Sequence, residues 1–125
     1  MNESQKRKNY FKSTILVGKT FEKIIAMNLS DLEYVYLSSN PSLSSILIEK
    51  LFEKNIDNVN INLLRHTNCP QNKLNEFLAL NDKIYNIAIA HNQALSDFMY
   101  KKLLALDDID VNLSLEYTQS IKKGL

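Results

Sequence analysis

The stretch VNINLLRHTNCPQNKLNEFL, residues 59–78, is echoed elsewhere in the chain. An offset of 25 lays IYNIAIAHNQALSDFMYKKLL, from Ile84, over it. Val59 then meets Ile84, His66 meets His91, Leu74 meets Met99 and Leu78 meets Leu103. In the other direction an offset of 26 pairs Ile48 with Leu74, and Leu51 and Phe52 with Phe77 and Leu78. A fainter copy, DIDVNLSLEYTQ, occupies residues 108–119, and a degenerate one, TFEKIIAMNLSDLEYVYLSS, residues 20–39. A period of this length is the signature of stacked supersecondary units. One such unit cannot bury its apolar face alone, and a row of them can.

Each unit reads as two helical pieces. In the longer one, Leu74, Phe77 and Leu78 follow i, i+3, i+4 spacing, as do Ile48, Leu51 and Phe52. Start signals precede these runs. Ser44 or Ser45 can cap a helix over 46–54, Pro70 suits a first turn, Ser96 opens SDFM, and SDLE at 30–33 is a capping box. The shorter piece is VNINLLRH or IYNIAIAH. VNINL alternates with period two and on its own also suits a strand. Its aligned copy is Ala-rich and does not alternate, which favours a short helix with 3₁₀ character. The chain has only two Gly and two Pro, too few for the turns of a sandwich or barrel. The expectation is an all-α fold: about four repeats of 25–26 residues, alternating longer and shorter helices.

The matching stretches SSNPSLSSILIEKL (38–51), 59–78 and 84–103 resemble the leucine-rich repeat variants, which are similar in style to HEAT-type helical arrays. Asn40 and Pro41 match the family's Asn-Pro, and Asn68, Cys69 and Pro70 its Asn-Thr-Pro. His66 and His91 stand where Asn is usual, and Thr67 and Asn92 where Pro is usual. The resemblance covers about residues 38–103. It implies a right-handed α-solenoid acting as a binding scaffold. Some members of that family carry an iron–sulfur module on a cysteine cluster, and a single cysteine cannot build one.

A chain of 125 residues suffices for one domain over 1–125. It divides into a basic arm or capping helix (1–19), repeats (20–118) and a C-terminal tail (119–125). The formal charge of +1 argues against a nucleic-acid footprint over the whole chain. Residues 1–25 carry six Lys/Arg and two acids, whereas residues 26–100 carry five and eight. The start of the chain does not read as a signal peptide, because only ILV follows QKRK before Gly18 and Lys19. No apolar run approaches the roughly 18 residues of a membrane span. One cysteine fits a reducing compartment. Together these lead to an expected cytoplasmic location. The richness in Asn, Lys and Ile suggests an AT-rich genome, bacterial or viral.

Motifs for chemistry are sparse. STILVGKT at 13–20 resembles a phosphate-binding loop, but Ser13 replaces the first glycine and no α/β pattern surrounds it. His66 and His91 would lie about 10 Å apart in stacked helices, far for two ligands of one zinc ion, and only Cys69 is at hand as a third. Cys69 lies at a helix start, where a thiol can be activated, yet no base accompanies it. No catalytic residue, cofactor or metal site is therefore expected, and the chain reads as no enzyme.

The expected function is an interaction module, an adaptor, regulator or inhibitor that binds a partner protein. Asn60, Arg65, His66, Tyr85 and His91 are its candidate contacts, expected to be exposed near the short helices and repeat junctions. The alternative is a nucleic-acid-associated protein that touches phosphates through Lys6, Arg7, Lys8 and Lys12. Either could act as a monomer or a homodimer.

Overall fold

The computed structural model describes residues 2–16 and 18–124, and among these every regular element is an α-helix. In order they are α1 (Glu3–Ser13), α2 (Gly18–Ile25), α3 (Asp31–Ser38), α4 (Ser45–Phe52), α5 (Asp57–Leu64), α6 (Gln71–Ala79), α7 (Lys83–Ala90), α8 (Asp97–Ala105) and α9 (Ile109–Lys122). None is long and apolar enough to cross a membrane.

The side chains at the helix ends set the rhythm. Ser44 and Ser96 accept the N–H groups of Leu47 and Met99, and Pro70 holds the corresponding place before α6. Ser30 and Glu33 form the capping box at α3. Asp82 and Asp108 cap α7 and α9 through paired backbone N–H groups. Each cap satisfies donors that the first helical turn leaves open. The turns after α2, α4, α6 and α8 each place one residue in the left-handed region: Asn28, Asn55, Asn81 and Asp107, with φ of 52–56°. Asn and Asp tolerate this conformation because their short side chains bond locally. That explains how a chain with two glycines makes so many reversals.

The helices group into two compact units, Met1–Leu63 and Leu64–Leu125. In the first, α1 packs on α3 and α3 on α4, with Phe11, Leu37, Ile48 and Leu51 fully buried. In the second, α7 packs on α9, α6 and α8, and α8 on α9, around Leu74, Ile89, Met99, Leu103 and Leu115. The buried residues Phe11, Leu37, Leu63, Ile89 and Leu115 recur every 26 positions.

Several sequence expectations shift. From α3 to α8 the helices have eight or nine residues, so the alternation of longer and shorter pieces is one residue at most. VNINL belongs to α-helix α5, with no 3₁₀ segment there. The 25-residue offset fails for the first helix of a unit. The buried series follows 26, which sets Leu63 over Ile89 and His66 over Asn92 rather than over His91. It holds for the buried face of the second helix, where Leu74 and Leu78 correspond to Met99 and Leu103. Residues 119–122, assigned to a tail, continue α9. Within the phosphate-loop resemblance, Ser13 ends α1 and Gly18 begins α2, while Val17 lies outside the described residues.

Candidate functional site

In the second unit, the chain leaving α5 is held from α7. Asn92 is 1% exposed, and its Nδ2 donates to the carbonyls of Leu64 (2.8 Å) and His66 (2.9 Å). Its Oδ1 accepts the N–H of Ala94 at 2.8 Å. Asn40 repeats the arrangement in the first unit. It donates to Phe11 (2.9 Å) and Thr14 (2.7 Å) and accepts from Ser42 N (2.9 Å). His66 stands midway between these asparagines, and its Nδ1 accepts the N–H of Asn68 at 3.1 Å. A side-chain acceptor for the N–H two residues on is therefore kept at positions 40, 66 and 92. At 118 a threonine takes over, donating to the Ala90 carbonyl at 2.7 Å.

One residue before this series, in which Asn40, Asn92 and Thr118 are buried and His66 half-buried, lies a second set of side chains. Arg65 is exposed, His91 half-buried and Tyr117 60% exposed. The rings of His91 and Tyr117 meet edge to face at 6.0 Å. Burial holds the His91 pKa below the ordinary imidazole range, and the positive charge of Arg65 lowers it further. The imidazole is therefore neutral at pH 7. The cluster joins a cation, a neutral donor–acceptor ring and a phenol, a combination suited to recognising polar and aromatic protein surface. Arg65 and His91 were legible as candidates. Tyr117 was not, because the offset of 25 set it out of line with them.

The other candidates fall elsewhere. Asn60 is 1% exposed, so it lies inside rather than on a surface. Asn86 and Asn112, one and two periods on, also place their side-chain oxygens inside. Tyr85 is half-buried, its ring edge-on to Phe77 at 5.0 Å, instead of open to solvent. In the arm, Arg7 forms a two-point ion pair with Glu33, with Nη2 to Oε1 at 3.1 Å. The pair raises the Arg7 pKa and lowers that of Glu33. The Arg7 guanidinium also lies over the Phe11 ring, and Lys8 over Tyr36. Lys6 and Lys12 stay exposed.

Cys69 is 4% exposed, and burial pushes its thiol up to about 12, against which Lys73 acts only weakly. It is a protonated, packed side chain rather than a nucleophile. Among the described residues no three His, Cys, Asp or Glu side chains gather in a group able to hold a metal ion. Each unit also carries an open groove. One lies beside Phe21, Ile25 and Ala26 with Lys50 and Lys54 on its lip, about 400 Å³. The other lies beside Leu78, Ala79 and Leu106, about 270 Å³.

These elements define a class of all-helical protein in which a two-helix pattern of caps, left-handed turns and buried residues recurs about every 26 positions. No family model, curated protein or solved structure matches the chain.

Proposed function

We propose that the chain is a non-enzymatic interaction module: a short right-handed α-solenoid of about four repeats, similar to the leucine-rich repeat variants, that binds a partner protein through an exposed edge. The observation that carries this reading is the contrast between two register positions 26 residues apart. At one, Leu63, Ile89 and Leu115 are alike and buried. At the other, Arg65, His91 and Tyr117 differ in chemistry and reach the surface. A constant core beneath a variable edge is how repeat arrays change partners without losing the fold. The partner-binding set is Arg65, His66 and His91, with Tyr117 against the His91 ring. Asn60 contributes from inside, by packing, and Tyr85 by holding Phe77. The adaptor, regulator and inhibitor roles all use such an edge.

The test is capture from source lysate on the immobilised chain at low and moderate salt, followed by affinity measurement with the protein retained. Arg65→Glu and His91→Ala are expected to weaken that complex by on the order of tenfold each, while far-ultraviolet circular dichroism stays unchanged. A partner held equally by both variants would refute the assignment of this edge. The nucleic-acid reading rests on the net charge of +4 over residues 1–25, and its salt dependence separates it from the first.

A further inference from the structure

Helix α9 leaves a stripe of large apolar side chains in solvent: Ile109 (73% exposed), Leu113 (57%), Tyr117 (60%) and Ile121 (40%). They are spaced by four and so adjoin one another along one side of the helix. The opposite side, with Val111, Leu115 and Thr118, is buried in the second unit. One period earlier, Ile87 stands at the place of Leu113 and is half-buried, on a helix that α9 packs against. Leu113 thus belongs to a register position that is covered in α7 and uncovered in α9.

The stripe has an internal symmetry. Ile109 and Ile121 are equidistant from Leu115, and so are Leu113 and Tyr117. The charges at the two ends share the same midpoint, while Asp110 and Glu116 mirror Ser120 and Ser114. Asp107 and Asp108 precede the stripe, Lys122 and Lys123 follow it, and each aspartate mirrors one lysine about Leu115. Lys122, Lys123 and Asp107 are exposed. A twofold interface requires a self-complementary patch. An antiparallel pair of α9 helices meets that requirement: Ile109 faces Ile121 of the second copy, Leu113 faces Tyr117, and the acidic end of each helix meets the basic end of the other. A parallel pair would set aspartates against aspartates. Antiparallel helix dipoles add to the attraction.

We infer that the exposed face of α9 is a homodimer interface in which two copies of the chain pair antiparallel through Ile109, Leu113, Tyr117 and Ile121, clamped at both ends by Asp107 against Lys122/Lys123, since Asp108 is taken up in capping α9 and pairing with Lys83. The inference goes beyond the partner-binding reading, which concerns Arg65 and His91 and shares with this face only Tyr117.

Sedimentation equilibrium of the full chain at rising concentration, up to about 200 µM, tests it. The expected result is a reversible monomer–dimer equilibrium with a micromolar Kd, in keeping with a small interface. Leu113→Glu is expected to raise Kd on the order of a hundredfold, and Lys122→Glu with Lys123→Glu on the order of tenfold with a loss of salt sensitivity. Orientation is read by crosslinking. Ile109→Cys combined with Ile121→Cys gives a disulfide-linked dimer under mild oxidant, and Ile109→Cys alone does not. Within one helix these positions are about 18 Å apart and cannot bridge. The native Cys69 is buried and does not compete. A chain that stays monomeric throughout, a dimer indifferent to Leu113→Glu, or efficient crosslinking of Ile109→Cys alone would each overturn the inference. Should Leu113→Glu unfold the chain, the crosslinking pair decides. An unaltered chain that does not self-associate but still captures its partner would remove the dimer and leave the proposed function standing.

Discussion

Asn92 is buried because it bonds, and each of its two ends has a separate task. The amide nitrogen takes up two carbonyls at the end of α5 and in the turn after it, and the oxygen fixes the turn that follows α7. Asn92→Ala leaves those carbonyls buried without a donor and is expected to cost about 1–3 kcal/mol, read as a lower urea midpoint with unchanged slope. Asn92→Asp is expected to be at least as damaging, since it keeps the acceptor, loses both donors and buries a charge. His91 gives a pH signature. Its folded pKa lies below the ordinary 6.5, so the unfolded chain binds more protons as pH falls through that value. This contribution to stability is complete above 6.5 and is lost as pH falls toward the depressed folded value. His91→Gln should flatten the fall in thermal midpoint between neutral and mildly acidic pH, and an unchanged slope would refute the assignment. Cys69, with its thiol pushed up to about 12, should resist alkylation at pH 8 in the folded chain and react promptly in denaturant.

At the scale of the element, the four non-glycine residues of positive φ among the described residues are the joints of the pattern, and each is Asn or Asp. Asn81→Ala places a Cβ-bearing residue with no local hydrogen bond in the left-handed region and is expected to destabilise the fold by about 1 kcal/mol. Asn81→Gly is expected to be neutral in the same melting experiment. These joints show how far the sequence was legible. Helix starts were readable at Ser30 with Glu33, Ser44 and Ser96, whereas the caps that Asn2, Asp82 and Asp108 make were not singled out. The register was misread by one residue in the first helix of a unit because His66 and His91 invite pairing as like residues. The group that takes over the turn bond of His66 is in fact Asn92. The second helix hid this slip. Its buried face rotates by one position between α6 and α8, so that Leu74 and Met99 remain 25 apart while the caps Pro70 and Ser96 are 26 apart. Asn60 was misplaced for a related reason. In VNINL the asparagines read as the polar face, yet at helical spacing Asn60 shares one buried face of α5 with Val59, Leu63 and Leu64. The meeting of Tyr117 with His91 could not be read, because His91 lies at the end of α7, a contact no local pattern announces.

Across the whole molecule, charge separates the two functional readings. The formal balance is +1, and the positive excess sits in residues 1–25. Two of the four candidate cations in the arm, Arg7 and Lys8, are already engaged within their own unit. Arg7 is paired with Glu33 and lies over Phe11, and Lys8 lies over Tyr36. Freeing Arg7 to meet a phosphate would leave Glu33 without its ion-pair partner and set like charge toward the nucleic acid. On the nucleic-acid reading, the contact with phosphates therefore falls to Lys6 and Lys12. Two neutralised phosphates give a salt slope of about −2, a loss of roughly tenfold in affinity between 50 and 200 mM salt. The expected outcome is weak duplex binding at low salt that follows this slope and disappears in a Lys6→Ala/Lys12→Ala variant of unchanged stability. Arg7→Ala is expected to act differently, lowering the melting temperature through the lost pair and the lost contact with Phe11 while changing the slope little. Fluorescence anisotropy with a labelled duplex at several salt concentrations, read beside thermal melts of the same variants, distinguishes the two. A slope of about −6 or steeper would require more phosphate contacts than the arm presents. It would move the nucleic-acid reading ahead of the protein-binding one, because cations from beyond the arm would then have to take part.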